Sequence, residues 1–126
     1  MTKMDMVWIA VASLIHPEVN MRITVDKKDI DRIVLELFKK IITPVIIKRH
    51  LVNSEDRQAD IFKPQQGGSR NRYLYRDDIG CFRLYKNIDH NSDGWDKTGR
   101  TCPEPDNVTG EFRHLIDWYR NNYINS

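Results

Sequence analysis

The chain reads as an α+β domain: helices of modest length, then a β-hairpin, then a closing helix. Two observations predict this. Apolar residues recur at helical spacing between residues 4 and 58 and again between 110 and 123, whereas residues 69–86, SRNRYLYRDDIGCFRLYK, alternate about a single turn. A length of 126 residues with 40% apolar and 30% charged content suits one domain around a single hydrophobic core.

Trp8, Val11, Ala12 and Ile15 fall at i, i+3, i+4 and i+7, which predicts a helix over about 4–15 that stops at His16-Pro17. Met21, Ile23 and Val25 alternate with Arg22 and Thr24 and predict a short strand. Asp26 then caps a second helix over about 27–38, with Ile30, Ile33, Val34, Leu37 and Phe38 as its apolar stripe. Thr43 as N-cap with Pro44 at the first helical position opens a third helix, expected to reach Gln58. On that helix Ile47, Leu51, Ser54 and Gln58 line one side, with Val45 and Val52 at its margin. Arg49, His50, Asn53 and Arg57 line the other. Arginine offers two parallel donors to guanine and asparagine a donor and acceptor to adenine, while Lys48 suits a phosphate.

The hairpin is expected to turn through a four-residue loop, Asp77-Asp78-Ile79-Gly80, with a left-handed exit. Arg76 then faces Cys81, Tyr75 faces Phe82, Leu74 faces Arg83 and Tyr73 faces Leu84. This register gathers Tyr73, Tyr75, Phe82 and Leu84 on a core side and Arg72, Arg76 and Arg83 on an outer side. The preceding connection, 59–69, carries Pro64 and Gly67-Gly68 as breakers. Lys63 in this stretch and Arg70 just beyond it suit phosphate contacts.

Charge is uneven along the chain. The net value of +2 divides into +1 over residues 1–42, +4 over 43–86 and −3 over 87–126, so the middle is the basic part. The longest apolar run, Met6 to Ile15, is too short to cross a bilayer and lacks the flanks of a signal peptide. The expectation is a cytoplasmic protein, not membrane-bound, with Cys81 and Cys102 reduced.

Helix, short strand, helix, helix and arginine-bearing hairpin is an order that resembles the winged helix-turn-helix domain over residues 4–86, about two-thirds of the chain. The stretches TPVIIKRHLV, GGSRNRYLYR and GCFRLYK are similar to prokaryotic winged-helix-like proteins that offer no activity to transfer. The resemblance implies a three-helix core with a short strand and a hairpin wing, here followed by an irregular segment, 87–108, and an added C-terminal helix. It also implies double-stranded DNA as the partner, in regulation or in a restriction or defence system. Lys48, Arg49, His50, Asn53 and Arg57 would make contacts from the recognition helix. Lys63, Arg70, Arg72, Arg76 and Arg83 would make them from the connection and wing. One alternative is a protein-interaction module on the same scaffold. A weaker one is a metal-dependent nuclease built on the Asp26-Lys27-Lys28 step.

Asp89-His90-Asn91-Ser92-Asp93-Gly94 matches the first half of an EF-hand loop, but Arg100 stands where the bidentate carboxylate belongs. An Asx-rich turn is the expectation, and no cofactor or metal is assigned. Phosphate-binding loops, zinc-protease and nucleophile-elbow motifs are missing, and catalysis is not expected. The last helix, about 110–123 with Thr109 as cap, carries Phe112, Leu115, Ile116, Tyr119 and Tyr123 on one face. Its first expected use is core packing and its second a homodimer.

Overall fold

Helix α1, Lys3–Ile15, lies at the centre of the computed structural model, which describes residues 1–16, 24–49, 51, 73–87, 89 and 100–124. Thr2 caps it by accepting from the Asp5 amide at 3.1 Å, and the His16 amide closes it on the Ala12 carbonyl. The spacing of Trp8, Val11, Ala12 and Ile15 implies one apolar face, but Met4, Val7, Ile9 and Ala10 are buried as well. A helix apolar on all sides belongs in the interior, and α1 packs against three helices that follow it as well as against the hairpin.

Met21 to Ile23 lie outside the described residues, so the short strand is seen only at Val25. That residue pairs antiparallel with Phe82 through two backbone bonds of 2.8 and 2.7 Å. Asp26 begins α2, Lys27–Phe38, as the capping residue: its carboxylate accepts from the Asp29 amide at 2.9 Å, and Asp29 answers with the reciprocal bond. Ile30 and Val34 are buried, while Leu37, predicted within the stripe, is exposed at the helix end. Lys39 terminates the helix in the left-handed region, φ 56°.

Helix α3, Pro44–Arg49, starts where Thr43-Pro44 indicates, with Ile47 buried. It does not run unbroken to Gln58. Leu51 instead forms a parallel bridge to Leu74 with its side chain buried, so the edge of the hairpin takes up this residue in place of another helical turn. Strands β1, Leu74–Arg76, and β2, Phe82–Leu84, form an antiparallel pair that Val25 and Leu51 flank on its two edges.

The C-terminal segment makes 3-10 turns at Pro105–Asn107 and Gly110–Phe112, then α4, Arg113–Tyr119, which widens into a π-helical turn over Arg120–Ile124. The Thr109 hydroxyl makes no cap bond; its carbonyl accepts from Phe112 instead. Leu115, Ile116 and Tyr119 are buried, with the Tyr119 ring edge-on to Trp8 at 5.5 Å and its hydroxyl donating to the Tyr85 carbonyl at 2.7 Å. Three residues of that face are therefore packed inside the chain, the first of its two expected uses, while Phe112, Trp118 and Tyr123 are only partly buried. The architecture is α+β, and no helix among the described residues is long and apolar enough to cross a membrane.

Candidate nucleic-acid interface

The hairpin turn has a three-residue loop rather than four. Asp77 stays in the ladder: its amide donates to the Cys81 carbonyl at 2.9 Å and its carbonyl accepts from Gly80 at 3.2 Å. Its carboxylate takes the amides of Ile79 and Cys81 at 3.0 and 2.8 Å. An aspartate able to hold two loop amides makes the tighter turn favourable, and Gly80, φ 90°, supplies the left-handed exit. The loop shortened by one residue slips the pairing by one, to Leu74 with Leu84, Tyr75 with Arg83 and Arg76 with Phe82.

Because side chains alternate, the slip changes the face of one strand's residues relative to the other's. Arg76 and Arg83 therefore lie on opposite faces, and the expected arginine row does not form. Arg76 is exposed. Arg83 turns inward, donating to both carboxylate oxygens of Asp89 at 2.8 and 2.7 Å and to the Leu84 carbonyl at 3.2 Å. Its guanidinium lies 4.3 Å from the Tyr75 ring centroid. Burial works against its charge, but the bonds and charge of Asp89 outweigh this and hold it above the ordinary arginine range.

Asp89 itself is only 4% exposed and also accepts from the Lys86 amide at 2.8 Å. Its role here is that of an anchor for the hairpin base; the rest of the EF-hand-like stretch, 90–94, lies outside the described residues. Tyr73, expected on the same side as Phe82 and Leu84, shares instead the side of Tyr75 and Arg83. It donates from a buried hydroxyl to Asp5 at 2.7 Å. Burial, and then the Asp5 carboxylate, push its phenol well above the ordinary range. Tyr119 is raised likewise, chiefly by burial.

Of the residues assigned to DNA contact, Lys48 and Arg49 belong to α3, Arg76 stands exposed on the hairpin and Arg83 is turned inward. His50, Asn53, Arg57, Lys63, Arg70 and Arg72 lie outside the described residues. Cys81 and Cys102 are both free thiols, and burial raises that of Cys102 against the lowering effect of Arg120. Asp26 is engaged in the α2 cap. Among the described residues no group of three or more His, Cys, Asp or Glu side chains could hold a metal ion.

Sequence reasoning missed the buried polar partners Asp5 and Asp89. Asp5 sits at the start of an apolar run, where an acidic residue looks like ordinary helix-start chemistry. The only signal for Asp89 was its position six residues beyond Arg83. No protein-family model, curated protein or solved structure matches the chain.

Proposed function

We propose that this chain is a winged helix-turn-helix protein that binds double-stranded DNA, acting by occupancy as a regulator or as the recognition part of a restriction or defence system. The observation supporting this reading is the pairing pattern. The segment between α1 and α2 meets the return strand of the hairpin at Val25 and Phe82, and the chain leaving α3 meets the outgoing strand at Leu51 and Leu74. In a winged domain the segment between the first two helices pairs with the return strand of the wing, as Val25 pairs with Phe82. Helix α3 carries Lys48 and Arg49 to the duplex, and Arg76 contributes a phosphate contact from the hairpin.

A salt titration of duplex binding tests the proposal. Affinity falls as salt rises, and Lys48→Ala, Arg49→Ala and Arg76→Ala together weaken binding and lower the logarithmic salt slope by about one for each phosphate contact removed. Arg83→Ala is expected instead to lower thermal stability. No binding at low salt rejects the proposal.

A further inference from the structure

We propose that the hairpin tip of one copy of this chain docks on the α2–α3 corner of a second copy. The tip presents Ile79, which is 84% exposed beside the carboxylates of Asp77 and Asp78. The corner presents Ile41, 78% exposed, and Val45, 58% exposed, beside Lys39 and Lys40. These are the three most exposed large apolar side chains among the described residues, and the exposed charge next to Ile79, Asp78, is opposite in sign to Lys39 and Lys40 beside Ile41. The surfaces complement each other in polarity and charge, yet their exposure within one copy means that they do not cover one another there.

Both surfaces are held in place before contact, so little ordering opposes docking. Four hydrogen bonds centred on Asp77 fix the tip. The corner is fixed by Lys39, a side-chain-bearing residue in the left-handed conformation where a helix commonly ends on glycine. Its amide is bound to the Leu35 carbonyl at 3.0 Å. No carboxylate among the described residues pairs with Lys39 or Lys40, and no described cation pairs with Asp78.

A second copy is favoured over nucleic acid at the tip because the exposed Asp78 carboxylate beside Ile79 repels phosphate, whereas the phosphate contact proposed for the hairpin lies at Arg76 on the strand. It is favoured over an unrelated protein because this chain already carries both complementary halves. Two reciprocal tip-to-corner contacts about a two-fold axis close a dimer and leave neither surface open. The contact uses Ile79, Ile41 and Val45 rather than the Lys48, Arg49 and Arg76 proposed for DNA, and it is tested with no DNA present.

Sedimentation velocity of the full chain without DNA, over a range of concentrations, provides the test. The expected result is reversible association that weakens with salt. Ile79→Ser weakens it about tenfold or more, a typical loss for a central apolar anchor. Asp78→Lys and Lys40→Glu each weaken association alone, and the two placed in one chain restore it, an outcome that general misfolding does not produce. Circular dichroism confirms that each variant folds. A chain that stays monomeric throughout, association that Ile79→Ser leaves unchanged, or a double charge variant no better than the singles overturns the proposal.

Discussion

The two ends of the hairpin are each organised by an aspartate, and they differ in what that aspartate holds. At the tip, Asp77 accepts two amides of its own turn, and everything it contacts lies within four residues along the chain. At the base, buried Asp89 accepts a guanidinium and an amide, joining the return strand to the segment beyond it. The tip is local chemistry exposed to water. The base is a charge pair largely removed from water, where the same kind of side chain carries a greater energetic consequence.

Breaking the base tests the larger side of this difference. Arg83→Met leaves a buried carboxylate without its cation, with an expected cost of about 3 kcal/mol in urea denaturation. Replacing both partners, Arg83→Met with Asp89→Leu, recovers most of that loss, because the penalty comes from the orphaned charge more than from the missing pair. If the double variant is no better than the single, the base depends on the geometry of the pair itself.

Tyr73 ties the hairpin to α1, and the expected cost of Tyr73→Phe is about 2 kcal/mol, since Asp5 stays buried without that donor. The same bond carries a pH signature. A free phenol ionises near pH 10, whereas Tyr73 and Tyr119 in the fold ionise higher. Above about pH 10 the unfolded chain releases protons that the folded chain keeps, so stability is full below that point and falls as pH rises through it. Phenolate absorbance followed with unfolding should rise in one cooperative step, and Tyr73→Phe should make the alkaline decline shallower.

The tip should respond least. Asp77→Ala and Gly80→Ala are each expected to cost about 1 kcal/mol, the first by releasing two amides to solvent and the second by placing a side chain at positive φ. A Cβ at Gly80 meets nothing within 4 Å, so the Gly80 cost is one of conformation and not of crowding. Tip variants as damaging in urea as Arg83→Met would erase the distinction between the two ends.

Local signals proved legible to different depths. Asp26 as a cap, Pro44 as a helix start and Gly80 as a left-handed exit were each readable because the responsible groups lie within a few residues. The hairpin was readable as a hairpin but not in register, since three- and four-residue loops both suit Asp-Asp-Ile-Gly and the choice rests on where the Asp77 carboxylate bonds. That single residue places Arg76 and Arg83 on opposite faces, so the arginine row that the alternation implies does not form. The apolar spacing also implies a longer α3 than the fold contains, for a related reason. The helical spacing of Ile47 and Leu51 is real, and both are buried, but Leu51 meets the sheet as extended chain.

The amino-acid sequence by itself determined the α+β class, the order of helices and hairpin, and the starts of α2 and α3, because capping, proline geometry and apolar period act over a few residues. Tertiary structure decided which residue pairs with which across the hairpin, that α1 is buried on every side, and that the C-terminal aromatic face closes the core. It also decided that Arg83 faces Asp89 rather than solvent. Those outcomes depend on contacts between segments far apart in the chain, where burial and the pairing of charge select among local alternatives of nearly equal energy.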